Sequence, residues 1–142
     1  MKIIFLDTNV IIDFLADRRP FSINAAEIFN ASLTGQVKIY VSAVSYNNIY
    51  YIFRQSLSHN ETIKYLEELS EMTEIIDVTK SVLKKSLKSE FKDFEDAIQY
   101  HCALTILKMD FIVTRNSKDF KKSTLPVMNP QEAIGIINMH RS

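Results

Sequence analysis

The chain has 142 residues, 46% of them hydrophobic, with only 2 Gly and 3 Pro, which is ample for one packed core. Its 17 basic and 17 acidic side chains cancel to a formal net charge of zero, excluding the broad electropositive footprint of an architectural nucleic-acid binder while leaving local basic patches open. Cys102 is the one cysteine, so an intrachain disulfide and a zinc site built on several thiolates are excluded as well, and a reducing cytoplasm is the compartment that fits.

"KIIFL" (2–6) reads as a strand and "NVIIDFLADR" (9–18) as a helix, with Asp7 between them. On its own such an acid is a helix cap, accepting from orphan backbone N–H groups. Asp7 and Asp13 also interrupt the apolar stretch well short of a signal-peptide core or a membrane span, so no targeting or anchoring segment is expected. Helical spacing then covers Ser22–Thr34, followed by the strand "VKIYV" (37–41) and helices over Val44–Leu57 and Glu61–Ser70. "TEIIDV" (73–78) is the third strand, followed by helices over Val82–Lys88 and Glu95–Lys108. "DFIVT" (110–114) and "LPVM" (125–128) complete the strands, and Pro130 suits the first turn of a closing helix over Gln131–Met139. No repeat, low-complexity tract or Gly/Ser/Pro-rich linker divides the chain, and a single domain over 1–142 is expected.

Strands alternating with helices imply right-handed crossovers and a mainly parallel sheet covered on both faces. The continuous apolar character of the strands agrees, because parallel strands are buried on both sides. In that α/β architecture every strand ends, and every returning helix begins, at one edge of the sheet, where open α/β sheets bind ligands. Asp7 follows the first strand to that edge. Asn47 or Asn48 lies a turn or so into the helix after the second strand. Asp93 and Asp96, three apart and so on one helical face, begin the helix that returns to the fourth strand. Arg115, Asn116 and Asp119 belong to the loop after it.

Four remote segments thus bring Asp7, Asp93, Asp96 and Asp119 to one side of the sheet, with Asn9, Asn48 and Asn116 as neutral companions. Capping accounts for each acid singly: Asp93 and Glu95 complement a helix dipole, and Asp119 orders a turn. Together, carboxylates within about 4 Å repel by a few kcal/mol per pair at an effective dielectric near 20, and a bound cation relieves that. Oxygen donors of this kind suit Mg²⁺ or Mn²⁺ and not zinc or copper. The chemistry such an ion supports is hydrolysis of a phosphodiester.

"FLDTNVIID", "VSAVSYNNIYYI", "DFEDAIQYHCA" and "IVTRNSKDF", in that order and spacing, resemble the PIN domain family, which includes ribonuclease toxins of VapC type. The resemblance spans nearly the whole chain and rests on the ordered combination, since "DTN" alone is a weak signal. It implies a three-layer α/β/α sandwich with a parallel, about five-stranded sheet, and an acidic Mg²⁺ or Mn²⁺ pocket that cleaves RNA. It also implies a homodimer and, for a type II toxin, a small antitoxin protein. Carried over by motif position, Asp7, Asp96 and Asp119 are the catalytic metal ligands, with Asp93 an additional acid ranked below Asp96. Thr8 or Asn9 steadies the first loop, and Asn116 holds Asp119 or a water.

One position departs from the pattern. The family often carries Glu in the helix after strand two, where this chain has Asn48, which lacks charge and cannot act as a general base. Asp93 is the expected compensation. The alternative that Asn48 raises is a catalytically weakened PIN-like domain that binds RNA or a protein. A phosphotransfer enzyme of another α/β class is disfavoured, since the second Asp of a "DxD" nucleophile motif is replaced by Asn9 and no Gly-rich phosphate loop is present.

Arg115 and Lys118, with Lys121 and Lys122, surround Asp119, and Lys84, Lys85, Lys88 and Lys92 lead up to Asp93. Both sets are candidates for RNA phosphates, against the commoner fate of a solvated face. Tyr46, Tyr50 and Tyr51 suit core or dimer packing better than base stacking. Cys102 reads as core, and His59 and His140 as surface.

Overall fold

The structure, a computed structural model, describes residues 1–139; His140 lies outside them. In chain order it comprises β1 (Lys2–Leu6), α1 (Thr8–Leu15), α2 (Phe21–Leu33), β2 (Val37–Ser42), α3 (Ala43–Phe53), α4 (His59–Met72), β3 (Glu74–Ile76), α5 (Lys80–Leu87), α6 (Phe94–Leu104), β4 (Phe111–Val113), a short 3-10 turn (Ser117–Phe120), β5 (Val127–Met128) and α7 (Pro130–Met139). All five expected strands form, in the order β3-β2-β1-β4-β5, and every pair is parallel.

The two-residue period of the strands divides the apolar residues between two cores. Ile4 and Leu6 of β1 face one way and pack with Ile39 and Val41 of β2, Val10 and Ile11 of α1, Ile28 of α2 and Ile49 of α3. Phe5 faces the other way and packs with Ile112 of β4, Val82 of α5 and Ile98 and Cys102 of α6. Helices therefore cover both faces, giving an α/β/α sandwich. Cys102 and the half-buried Tyr46 belong to these cores, whereas His59 is exposed.

Some boundaries differ from the sequence expectations for local reasons. α4 starts at His59 because Ser58 and Glu61 form a reciprocal capping box. α6 stops at Leu104, four residues early, where the Thr105 hydroxyl donates back to the Cys102 carbonyl at 2.7 Å. α3 stops at Phe53, and Arg54 closes the following turn by donating to the Leu57 carbonyl at 3.0 Å. β3 keeps only three residues, pairing with the last three of β2. Among the described residues no helix is long and apolar enough to cross a membrane.

β1 sits at the centre, with the chain running outward to β2 and β3 on one side before crossing to β4 and β5 on the other. The strand order therefore reverses between β1 and β4. A crevice opens beyond the carboxyl ends of the strands at such a reversal, and Asp7 stands at its mouth.

Candidate functional site

Asp7 continues the sheet before it caps a helix. Its N–H donates to the Val113 carbonyl at 3.0 Å, extending the pairing of β1 with β4. Its side chain, on a residue only 5% exposed, accepts from the Thr8 N–H through Oδ1 at 2.8 Å and from the Thr114 hydroxyl through Oδ2 at 2.8 Å. Burial pushes this carboxyl above the usual carboxylate range, the bonds from Thr114 and Thr8 pull it down, and Asp119 and Asp93 push it up again.

Thr8 is buried beneath the site. Its hydroxyl shares a 2.7 Å bond with Ser45 Oγ and accepts from Gln99 Nε2 at 2.8 Å, while the same Nε2 donates to Ser45 Oγ at 3.0 Å. One polar cluster thus joins α1, α3 and α6, and Gln99 Oε1 is buried with no hydrogen-bond partner among the described residues.

Asp93 caps α6, its Oδ1 accepting from the Asp96 N–H at 2.9 Å. One turn in, the Asp96 carboxyl is pushed up to about 7, first by burial and then by the charges of Asp7, Asp93, Asp119 and Glu95. Asp119 is exposed on the 3-10 turn, where its N–H donates to the Asn116 carbonyl at 3.0 Å. Two recesses meet at this point. Asp7, Asn9, Asn48, Tyr51, Glu95 and Asp96 line one; Lys92, Asp93, Lys118, Asp119 and Lys121 line the other, again with Asp96. Asp96 is the wall between them.

The four aspartates expected from the sequence are therefore neighbours, and Lys118 stands beside them. Three companions, Asn116, Arg115 and Asn48, behave differently from expectation. Asn116 shapes the loop through its backbone, with no capping bond from its side chain. Arg115 is committed elsewhere: its Nε and Nη2 donate to the buried Asp13 at 2.6 and 3.3 Å, and its guanidinium lies 4.1 Å from the Phe21 ring centre. Tyr51, expected in core or dimer packing, is 66% exposed on the rim of the acidic recess, which removes the core alternative and leaves the dimer one open.

Asn48 is the third. Its Nδ2 donates to Glu95 Oε1, so the acid facing the uncharged position on α3 is Glu95 and not Asp93. The sequence had assigned Glu95 to the helix dipole; its adjacency to Asp96 was the available signal. Burial, Asp7 and Asp93 push the Glu95 carboxyl up, while hydrogen bonds from Asn48 and Gln99 lower it.

The model of the PIN domain family matches residues 3–118. The chain belongs to the PIN domain family. Ribonuclease VapC1 from Aquifex aeolicus (strain VF5) is 25% identical to this PIN domain over 137 residues, 91% of each chain. Among solved structures, VapBC2 from Rickettsia felis, bound to a DNA fragment from its promoter, aligns with a TM-score of 0.67 at 20% identity over 89% of this chain and 98% of that one. DNA-bound VapBC from Salmonella typhimurium aligns with a TM-score of 0.68 at 16% identity over 92% of this chain and 99% of that one. At such identities the likeness is one of fold.

The donor set fits a hard divalent cation: the side chains around Asp96 offer carboxylate and amide oxygens and no sulfur or imidazole. Among the described residues no three Asp, Glu, His or Cys side chains are drawn together into a finished cage. The anchored member is Asp7, whose buried carboxylate is held by two bonds, while Asp93 and Asp119 are exposed and Asp93 keeps one oxygen on the α6 cap.

Proposed function

We propose that this PIN domain is an endoribonuclease that hydrolyses RNA phosphodiester bonds with Mg²⁺ or Mn²⁺, and that it is the toxin of a toxin–antitoxin pair. The observation that carries the reading is the convergence of carboxylates on Asp96, whose charge is opposed at once by Asp7, Asp93, Asp119 and Glu95. Such an arrangement is unfavourable for the protein alone and favourable around a cation. The family membership and the VapC1 relative supply the ribonuclease context.

Asp7, Asp96 and Asp119 would hold the ion, with Asp93 beside them. When bound, it supplies Lewis-acid chemistry to a phosphate ester and to an attacking water. The chain's own contribution is placement. Thr8 and Thr114 fix the Asp7 oxygens, and the cluster of Thr8, Ser45 and Gln99 keeps the three helices that carry the site in register. Lys118, Lys92 and Lys121 put positive charge on the lip of the second recess, where a phosphate backbone would lie. Hydrolysis then consumes one water for each P–O bond broken. The reading extends to a small protein that covers the acidic recess as antitoxin, and to a homodimer in solution.

The test is cleavage of a single-stranded RNA pool by purified protein. Cleavage that requires Mn²⁺ or Mg²⁺, stops with chelator and is lost in Asp96→Asn is the expected result. Parent protein that binds RNA but leaves it intact at every metal concentration overturns the nuclease. That outcome favours a second reading, a weakened binding module, which the uncharged Asn48 motivates.

A further inference from the structure

Asn48 leaves α3 without a carboxylate on the wall of the first recess, and α6 presents one directly across from it. The same polar cluster sets this pairing: Asn48 lies one turn along α3 from Ser45, Glu95 lies one turn back along α6 from Gln99, and Ser45 and Gln99 are joined at 3.0 Å. The two helices cannot shift past one another without breaking that bond. Asn48 Nδ2 holds one Glu95 oxygen, and Glu95 lines the same recess as Asp7, Asn9 and Asp96.

We infer that Glu95, carried by α6 and oriented by the Asn48 amide, binds the divalent cation in place of the acid that α3 lacks, so that the site keeps its charge while its source moves from one helix to its neighbour. The inference rests on the cation-dependent reading above. Asn48 is then a positioning residue, donating to Glu95 and withholding a negative charge that would repel it. A merely structural Glu95, tying α3 to α6 through Asn48, would leave cation affinity alone.

The experiment measures Mn²⁺ affinity of the full chain without RNA, from the free-ion signal in electron paramagnetic resonance. Glu95→Gln keeps a carbonyl for the Asn48 amide, so the fold is preserved, and thermal unfolding checks this. The expected result is a loss of about tenfold in affinity, within the range seen when a metal site loses a supporting group. Adding Asn48→Glu to Glu95→Gln returns the carboxylate to α3 and restores most of the affinity. If Asp96→Asn weakens binding and Glu95→Gln does not, the inference falls and the cation site stands. A double variant that binds no better than Glu95→Gln alone overturns the exchange of one acid for the other. If neither single variant weakens binding, the cation reading falls and takes the inference with it.

Discussion

A carboxyl that titrates near neutrality costs the folded state something each time it ionises, and Asp96, pushed up to about 7, is such a group. Its ordinary value is 3.8, so between those limits the folded protein holds a proton that the unfolded chain has released. Stability falls with rising pH wherever the native state binds more protons. The contribution is therefore complete below about 3.8 and gone once the pH has risen through about 7. Metal-free protein is expected to lose stability over that interval, and Asp96→Asn, which cannot ionise, to flatten the decline. Mn²⁺ at pH 8 should raise the melting temperature of the parent and not of the variant. Urea unfolding at a series of pH values, with and without Mn²⁺, reads all three. A decline from pH 4 to 7 that is no shallower in Asp96→Asn than in the parent contradicts the placement of Asp96 among like charges.

Two elements that carry no acid of the site hold its floor in place. Asp13, near the end of α1, has a side chain 1% exposed and pairs with two arginines, Arg18 at 2.9 Å and Arg115 at 2.6 Å. Arg115 immediately follows Thr114, whose hydroxyl holds Asp7, so the pair fastens α1 to the end of β4 directly behind the site. Arg115→Met leaves a buried carboxylate with one half-exposed partner, and the expected loss is about 3 kcal/mol, typical of breaking a buried pair from one side. Arg18→Met, removing the more exposed partner, should cost less; denaturant unfolding of both variants gives the comparison. Equal small losses would mean that Asp13 is solvated after all. Asp13 also marks where the sequence stopped being readable. The strands and the order of elements were legible because a buried parallel strand is apolar throughout and each is followed by a helix with 3.6-residue spacing. Asp7, Asp96 and Asp119 were legible for a related reason: a strand end or the start of a returning helix fixes which edge of the sheet a residue reaches. The partners of Asp13, the pairing of Asn48 with Glu95 and the commitment of Arg115 were not, since each depends on which side chains of different elements meet across a gap. Periodicity carries no information about that.

For the molecule as a whole, a net charge of zero means that any attraction for RNA must be local, and the acidic recess itself opposes it. The counterweight is the group of Lys92, Lys118 and Lys121 on the neighbouring recess, joined by Lys122, which is already paired with Glu90 at 3.2 Å. Each phosphate neutralised by a lysine on single-stranded nucleic acid contributes about −0.7 to the slope of log affinity against log salt. Three lysines with no ion pair among the described residues therefore set a slope of about −2 for a short single-stranded RNA, far below what a broadly basic protein would show. Measured on Asp96→Asn with chelator, so that no RNA is cut, the slope should become shallower by about 0.7 in Lys118→Gln. It should change less in Lys122→Gln, because Glu90 already competes for that charge. A flat salt dependence in the unaltered lysine set would mean that these side chains are a solvated face and meet no phosphate. A slope much steeper than −2 would mean that positive charge outside this recess, such as Lys84, Lys85 and Lys88 on and just beyond α5, shares the contact and that the RNA path runs along α5 toward the site.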